Sequence, residues 1–400
     1  MKQEINAKKN EISRVSLWEI FLSYLMVGLT AFSMVNLQKL KSLVLRKKWM
    51  SEEEMNEGLA LVQMYPGPIM VDFTAYVGYK LRGVSGALVS TLAFILPSFL
   101  MMVALSSLYF ATADLSWIHL VFSGIEALVI GVIFNVTLDL GEKTLKSKIE
   151  AVIALLNFTL LLFKVNAIWV VLASLILGSI FIRPEAKRPV IPHLKSRTPL
   201  SKWINIAIAA FVVLAVAAFA WSLKSDVGQL ALSLFKIGSV AFGTGSTIIP
   251  LIQAEVVHEH HWLTMNQFVD AIALGQITPG PFLISAAFIG FKMGGLLGAI
   301  LATFAIFSPS FVMTLIFTEL FVHVKNLKAV RGALAGVLAS FTGMLVVVIL
   351  QISHATMQSP AALAMAAAAF IAVRWFKIDV IFVFAGGILL WLGLVVSNIV

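Results

Sequence analysis

Apolar residues run along this chain in long blocks instead of alternating with polar ones. From Leu17 onward, windows of roughly 20 apolar residues recur between short polar stretches. At ~1.5 Å per residue each is long enough for a helix to cross a ~30 Å hydrocarbon layer, where an open sheet edge would leave backbone polar groups unsatisfied. The pattern predicts an all-α polytopic membrane protein. Clear spans fall at 84–110, 117–138, 150–164, 166–182 and 203–223, then at 295–321, 328–353, 360–374 and 377–397. Two kinds of segment interrupt the blocks. One is a leading stretch broken near Phe32-Ser33 and again at Phe242-Gly243-Thr244-Gly245; the other carries Pro66-Gly67-Pro68 and Pro279-Gly280-Pro281.

The interruptions come in pairs, which points to a duplicated chain. Trp49-Met50-Ser51 matches Trp262-Leu263-Thr264, Gln63 matches Gln276, and the Pro-Gly-Pro tripeptides match at the same offset. After one deleted residue, Gly78, Lys80, Gly83 and Pro97-Ser98-Phe99 fall on Gly290, Lys292, Gly295 and Pro309-Ser310-Phe311. The expected organisation is an N-terminal segment (1–16), a first repeat (17–182), a basic linker (183–202), a connecting helix (203–227) and a second repeat (228–397). Equivalent points are separated by an odd number of spans whether or not the interrupted segments cross. The expected arrangement is therefore two inverted-topology repeats.

Loop charge decides how the interrupted segments run, because positive loops stay in the cytoplasm. Full crossing would put Lys39, Lys41, Arg46, Lys47 and Lys48 outside and Glu255 and Glu259 inside. Re-entrant hairpins reverse this, placing the basic loop inside and QAEVVHEHHW outside. They also keep Lys143, Lys146, Lys148, the linker, Lys325, Lys328 and Arg331 inside. Hairpins and a cytoplasmic N-terminus are expected. The first sixteen residues carry Lys2, Lys8, Lys9 and Arg14, and the apolar stretch behind them is too long for a signal-peptide core, so it reads as uncleaved.

Composition narrows the chemistry. Hydrophobic residues make up 60% of the chain and charged residues 12%, outside the range of a soluble domain. There is no cysteine, which excludes disulfides, thiolate metal sites and cysteine nucleophiles. The net charge of +9 is scattered over short loops, unlike the stripe of a nucleic-acid surface. His258, His260 and His261 flank Glu259, but Trp262 occupies the second histidine position of an H-E-x-x-H pattern, so they read as a solvated loop. Neither a nucleophile with its base nor a metal triad stands at membrane depth, so no enzyme, cofactor or metal is expected.

What remains are the breaks. Proline removes an amide and clashes with the preceding turn, so each Pro-Gly-Pro ends one helical piece and starts another, near Ile69 and near Phe282. A break in lipid has to be buried in protein or to face water. The new helix start offers free amides and a positive dipole end, which suit an anion. Inverted repeats whose interrupted helices meet near the midplane are an architecture of secondary transporters.

Through FKIGSVAFGTGS, ALGQITPGP, FIGFKMGGLLGA and FSPSF in one half, and VQMYPGP, YVGYKLRGVSGA and LPSF in the other, the chain resembles the chromate ion transporter family in its long two-domain form. The resemblance implies a bacterial plasma-membrane carrier that exports chromate, a sulfate-like divalent oxyanion, and so confers resistance. Phe32-Ser33-Met34 and Met26 depart from the family pattern in the first half. A carrier for sulfate, another oxyanion or an organic anion, or an anion channel, would share this chemistry; an intramembrane enzyme is the alternative from another class. The expected partners are a small inorganic anion and lipid, with no nucleic acid, and a homodimer is left open.

The expected substrate contacts are Lys236, Gly243, Gly245, Gln63 and Gln276 together with Pro66, Gly67, Pro68, Pro279, Gly280 and Pro281. A lysine at position 236 costs about 2.5–3.5 kcal/mol in a membrane segment unless it is partnered or wet, so it reads as an anion contact or a snorkelling cation. Asp72, four residues past a break, would repel an anion if ionised; it reads as a coupling or selectivity residue, or as a partner of its own helix dipole. Lys80 and Lys292 are vestibule cations or interface anchors. Glu126 lies in an apolar span but its counterpart is Leu338, confining any role to one copy.

Overall fold

The computed structural model describes residues 15–30, 35–112, 115–183, 200–222, 225–243, 245–324, 328–357 and 359–397. The break expected near Phe32-Ser33, the N-terminal basic residues, Lys325 and most of the linker lie outside them. Helices dominate. Among the described residues five are long and apolar enough to cross a membrane, over Ile69–Ala111, Leu120–Thr144, Trp203–Ser222, Phe282–Leu320 and Ala329–Thr356.

The chain begins with α1 (Leu17–Thr30) and α2 (Val35–Arg46), which at ~1.5 Å per residue reach only about 21 and 18 Å. They fold back on each other, because Lys47 after α2 pairs with Glu19 in the first turn of α1 at 3.1 Å. Next, α3 (Glu52–Val62) starts on a capping box in which the Ser51 hydroxyl accepts from the Glu54 amide while Glu54 accepts from that of Ser51. It stops before the first break, where Gly67–Pro68 form a two-residue strand, β1. Beyond it α4 (Ile69–Ala111) runs back and kinks at Arg82 and Gly83, whose φ of 65° suits glycine. Arg82 there donates to the Val15 carbonyl at 3.3 Å, so the first arm of α4 returns to the end where α1 began. The second arm then continues across. It leads into α5 (Ser116–Thr144), the shorter α6 (Lys148–Leu162) and α7 (Ala167–Phe181), and the mostly exposed α8 (Leu200–Ser222). The connecting helix thus ends before 227, since Ser225 caps a new helix.

That helix, α9 (Asp226–Ser239), precedes the strand β2 (Phe242–Gly243), a 3-10 turn (Ser246–Ile248), α10 (Ile249–Gln253) and a π-helical turn (Ala254–Glu259). Part of the segment expected as an open loop is therefore helical, because Glu255, Val256 and Val257 turn inward and are buried. Then come α11 (Met265–Ile277), the second break, a 3-10 turn (Phe282–Ile284), α12 (Ser285–Val324), α13 (Lys328–Thr356), α14 (Pro360–Arg374) and α15 (Val380–Val396).

Local geometry recurs between the halves. The kink of α4 at Arg82 (φ −139°, ψ 22°) and Gly83 (65°, −149°) reappears in α12 at Gly294 (−158°, 28°) and Gly295 (57°, −144°). The capping box of Ser51 and Glu54 reappears as Thr264 and Gln267. A methyl at Gly28 would stand 2.4 Å from the Phe94 carbonyl oxygen, and one at Gly238 2.3 Å from that of Ile306.

The two kinked helices lie antiparallel against each other. Tyr65, just before α4, donates to Thr314 of α12 at 2.8 Å, and Tyr79 donates to Glu319 at 2.8 Å. At the other end Tyr109 of α4 meets Phe288 of α12 with ring centroids 5.1 Å apart. Each Pro-Ser-Phe serine backs the opposite break: Ser310 lies behind Gly67, and Ser98 behind Gly280.

Candidate functional site

Both breaks open onto one cavity of about 550 Å³. Pro68, Ile69 and Met70 enter its wall from the first, Gly280, Pro281 and Phe282 from the second. β1 and β2 close one side as a parallel pair, Gly67 opposite Phe242 and Pro68 opposite Gly243. The first break of one half is therefore stitched to the glycine-rich break of the other.

The helix starts at this cavity lack the side-chain caps found at many of the other helices. Ser51 and Thr264, Ser147 and Ser359, and Asn166 and Asp379 each supply a side-chain oxygen to the helix they precede. Such caps satisfy amides that have no intrahelical partner. At the cavity, the residues in cap position are Pro68 and Pro281, and neither gives a side-chain cap to its helix. Gly245, in the same position before Ser246, gives none either. The first amides of these helices, with the positive ends of their dipoles, are left to whatever occupies the cavity.

Glycine is required at the breaks. Gly280 has φ 106°, and a methyl there would stand 2.9 Å from the Ser98 side chain. A methyl at Gly67 would stand 1.8 Å from the Asp72 carboxylate and 2.7 Å from Ser310 Cβ. The backbones can approach this closely only without side chains.

The sequence-derived candidates separate into two groups. Gln63, Pro68, Gly243, Gln276, Gly280 and Pro281 line the cavity. Pro66, Gly67, Pro279 and Gly245 belong to the same breaks without standing in the described wall. Lys236 is exposed in the last turn of α9 and also stands outside the wall. Lys80 sits at the far end of the first arm of α4, 5.6 Å from the Tyr76 ring centre, and Lys292 donates to Gln267 at 2.5 Å. Asp72 is wholly buried behind the wall; Ser310 and Thr314 stand beside it, yet neither carboxylate oxygen has a hydrogen-bond partner among the described residues. Glu126 lies away from the cavity. His258 meets Gln351 at 3.0 Å, while His260 pairs with Glu255 at 3.7 Å and stacks on Trp262.

Residues that sequence reasoning passed over also line the cavity. Asn135 and Lys143 of α5 enter the wall, and the Asn135 carbonyl is buried without a hydrogen-bond partner among the described residues. Asp139, from the same face, is held by Arg374 of α14 at 2.5 Å, and Arg374 also bonds Glu142. A polar asparagine in the apolar span 117–138 was the available signal.

A cavity built from interrupted helices inside a bundle of long apolar helices defines a polytopic membrane transporter. The chain belongs to the chromate transporter family, which it matches over residues 18–179 and again over 228–392. The members of that family are transporters and not enzymes. The chain is 32% identical to a chromate transport protein of Cupriavidus metallidurans over 76% of its own length and 73% of the relative's. It is 30% identical to a chromate transport protein of Pseudomonas aeruginosa over 82% and 79%. It is 31% identical to an uncharacterized transporter of Methanocaldococcus jannaschii over 87% and 86%. No solved structure matches the chain.

Proposed function

We propose that this protein carries chromate out of the cell across the plasma membrane and thereby confers resistance to it. The observation that carries the reading is the convergence of helix starts without side-chain caps on one cavity. A dianion with four acceptor oxygens can take those free amides together with the amides of Gln63 and Gln276. At on the order of 30 Å³ per water, the cavity has room for the ion and part of its hydration shell. The names of the relatives and the double family match support chromate and a duplicated origin. The antiparallel α4 and α12 support two inverted repeats, and the charge of the loops supports re-entrant leading arms and a cytoplasmic N-terminus.

Roles follow from position. Lys143 draws the anion to the mouth, and Lys236, Lys80 and Lys292 act on approach or anchor the protein at the membrane interface. Asp72, held behind the wall, tunes selectivity or coupling. Export needs no further driving force. Moving two negative charges outward through an interior-negative potential of ~100 mV releases about 4.6 kcal/mol, enough for a gradient above a thousandfold.

Everted membrane vesicles given radiolabelled chromate and an imposed voltage test the reading. Voltage-driven uptake that unlabelled chromate suppresses supports it. Uptake suppressed by sulfate and not by chromate would transfer the function to sulfate; linear flux without counterflow would make the protein a channel.

A further inference from the structure

The wall of the cavity carries one charge of the wrong sign for an anion. Among the described residues that line it, Asp139 is the only carboxylate and Lys143 the only cation. Both belong to α5, where Asn135, Asp139 and Lys143 follow at intervals of four and so share one face of the helix. Along this face the wall passes from Asn135, 7% exposed, to the exposed Lys143, which places Asp139 one turn inside the mouth. An anion entering there passes a carboxylate before it reaches the two helix starts.

Asp139 is also badly placed on its own helix. Together with Glu142 it lies within the last two turns of α5, beside carbonyls without intrahelical partners and at the negative end of the dipole. Arg374, in the last turn of α14, compensates both acids. Its Nη1 donates to Asp139 Oδ1 at 2.5 Å and its Nη2 to Glu142 Oε1, so one planar guanidinium spans two carboxylates a turn apart. The Arg374 and Asp139 side chains are 23% and 30% exposed, sheltered enough to hold each other in one geometry, whereas Glu142 faces solvent. Arg374 stands outside the described wall, which takes its neighbour Val373 from α14. It reaches the path of the anion only through Asp139.

We infer that Arg374 is a positioning residue for anion entry: by holding Asp139 it offsets the one negative charge in the wall and leaves Lys143 to set the sign of the field at the mouth. The inference rests on the reading that an anion travels through this cavity. At the effective permittivity near a protein surface, unit charges one helical turn apart still interact strongly, so an uncompensated Asp139 would repel a passing dianion. The repulsion grows with the charge of the anion, so the pair discriminates by sign and valence, not by shape.

The chain has no cysteine, so Val136→Cys supplies a single thiol in the wall, one turn from Asp139. In the full-length protein in nanodiscs, without any substrate, the ratio of its reaction rates with an anionic and a cationic methanethiosulfonate reads the sign of the local field. In that background Arg374→Gln should lower the anionic-to-cationic ratio about tenfold and Asp139→Asn should raise it. The double variant, which restores the net charge of the trio, should return the ratio to that of the parent, and every difference should shrink at high salt. Arg374→Lys keeps the charge and loses one of the two bonds, so its melting temperature should fall while its ratio stays within about twofold of the parent. A ratio unmoved by Arg374→Gln and by Asp139→Asn would overturn the inference; where Arg374→Gln is not recovered in the membrane, Asp139→Asn alone decides. A fall that the double variant does not reverse would make Arg374 a packing residue and overturn the inference as well. In proteoliposomes Arg374→Gln should raise KM for chromate about tenfold with little change in kcat, and adding Asp139→Asn should reverse it. If the wild type moves no chromate, the substrate reading fails and the thiol ratios decide this inference by themselves.

Discussion

The two Pro-Gly-Pro breaks share a tripeptide, a glycine that admits no side chain and a serine from the opposite half behind it, yet their surroundings differ. Behind the first lies Asp72, pressed against Gly67 with its carboxylate unpartnered among the described residues. Four residues past the second break stands Ser285, buried and uncharged. The first break is also paired to β2. The two helix starts are thus alike in tripeptide and backing serine, and only the first has an acid behind it.

The largest effect expected from disturbing this asymmetry comes from Gly67→Ala. Its methyl meets both Asp72 and Ser310, so chromate flux should fall by a hundredfold or more, about 3 kcal/mol, with the protein still in the membrane by immunoblot. Gly280→Ala meets only the Ser98 side chain but strains a φ of 106°, and a loss of about tenfold is expected. Equal losses would mean that Asp72 adds nothing. Copying the acid across, as Ser285→Asp, buries a new charge at about 2.5–3.5 kcal/mol on insertion scales and should reduce the amount of folded protein recovered on size exclusion. Removing it, as Asp72→Asn, should change chromate-over-sulfate preference by a few-fold in competition assays. Lys143→Met should raise KM for chromate about threefold with little change in kcat, an effect that fades at high salt. Lys236→Met, at an exposed position, should have a smaller effect than Lys143→Met in the same assay.

Much of this was legible in the sequence, for physical reasons. Pro-Gly-Pro cannot continue a helix, and α4 begins at Ile69 and the 3-10 turn before α12 at Phe282, where the motif requires. The match of Trp49 with Trp262 located the paired capping boxes at Ser51 and Thr264. Residues set by packing were not legible. Asn135, Lys143 and the Asp139–Arg374 pair occur on helices whose facing is decided by neighbours far away in sequence. Two-residue strands such as β1 and β2 carry no periodicity to detect. Asp270 sits in an ordinary amphipathic stretch, and only the fold brings Tyr109 to it.

The most direct measurement is an anomalous-diffraction map at the chromium edge from crystals grown with chromate. The account predicts a peak in the cavity within hydrogen-bonding reach of the amides that begin at Ile69 and Phe282, between Gln63 and Gln276. A peak confined to the surface lysines, with none between the two helix starts, would contradict it.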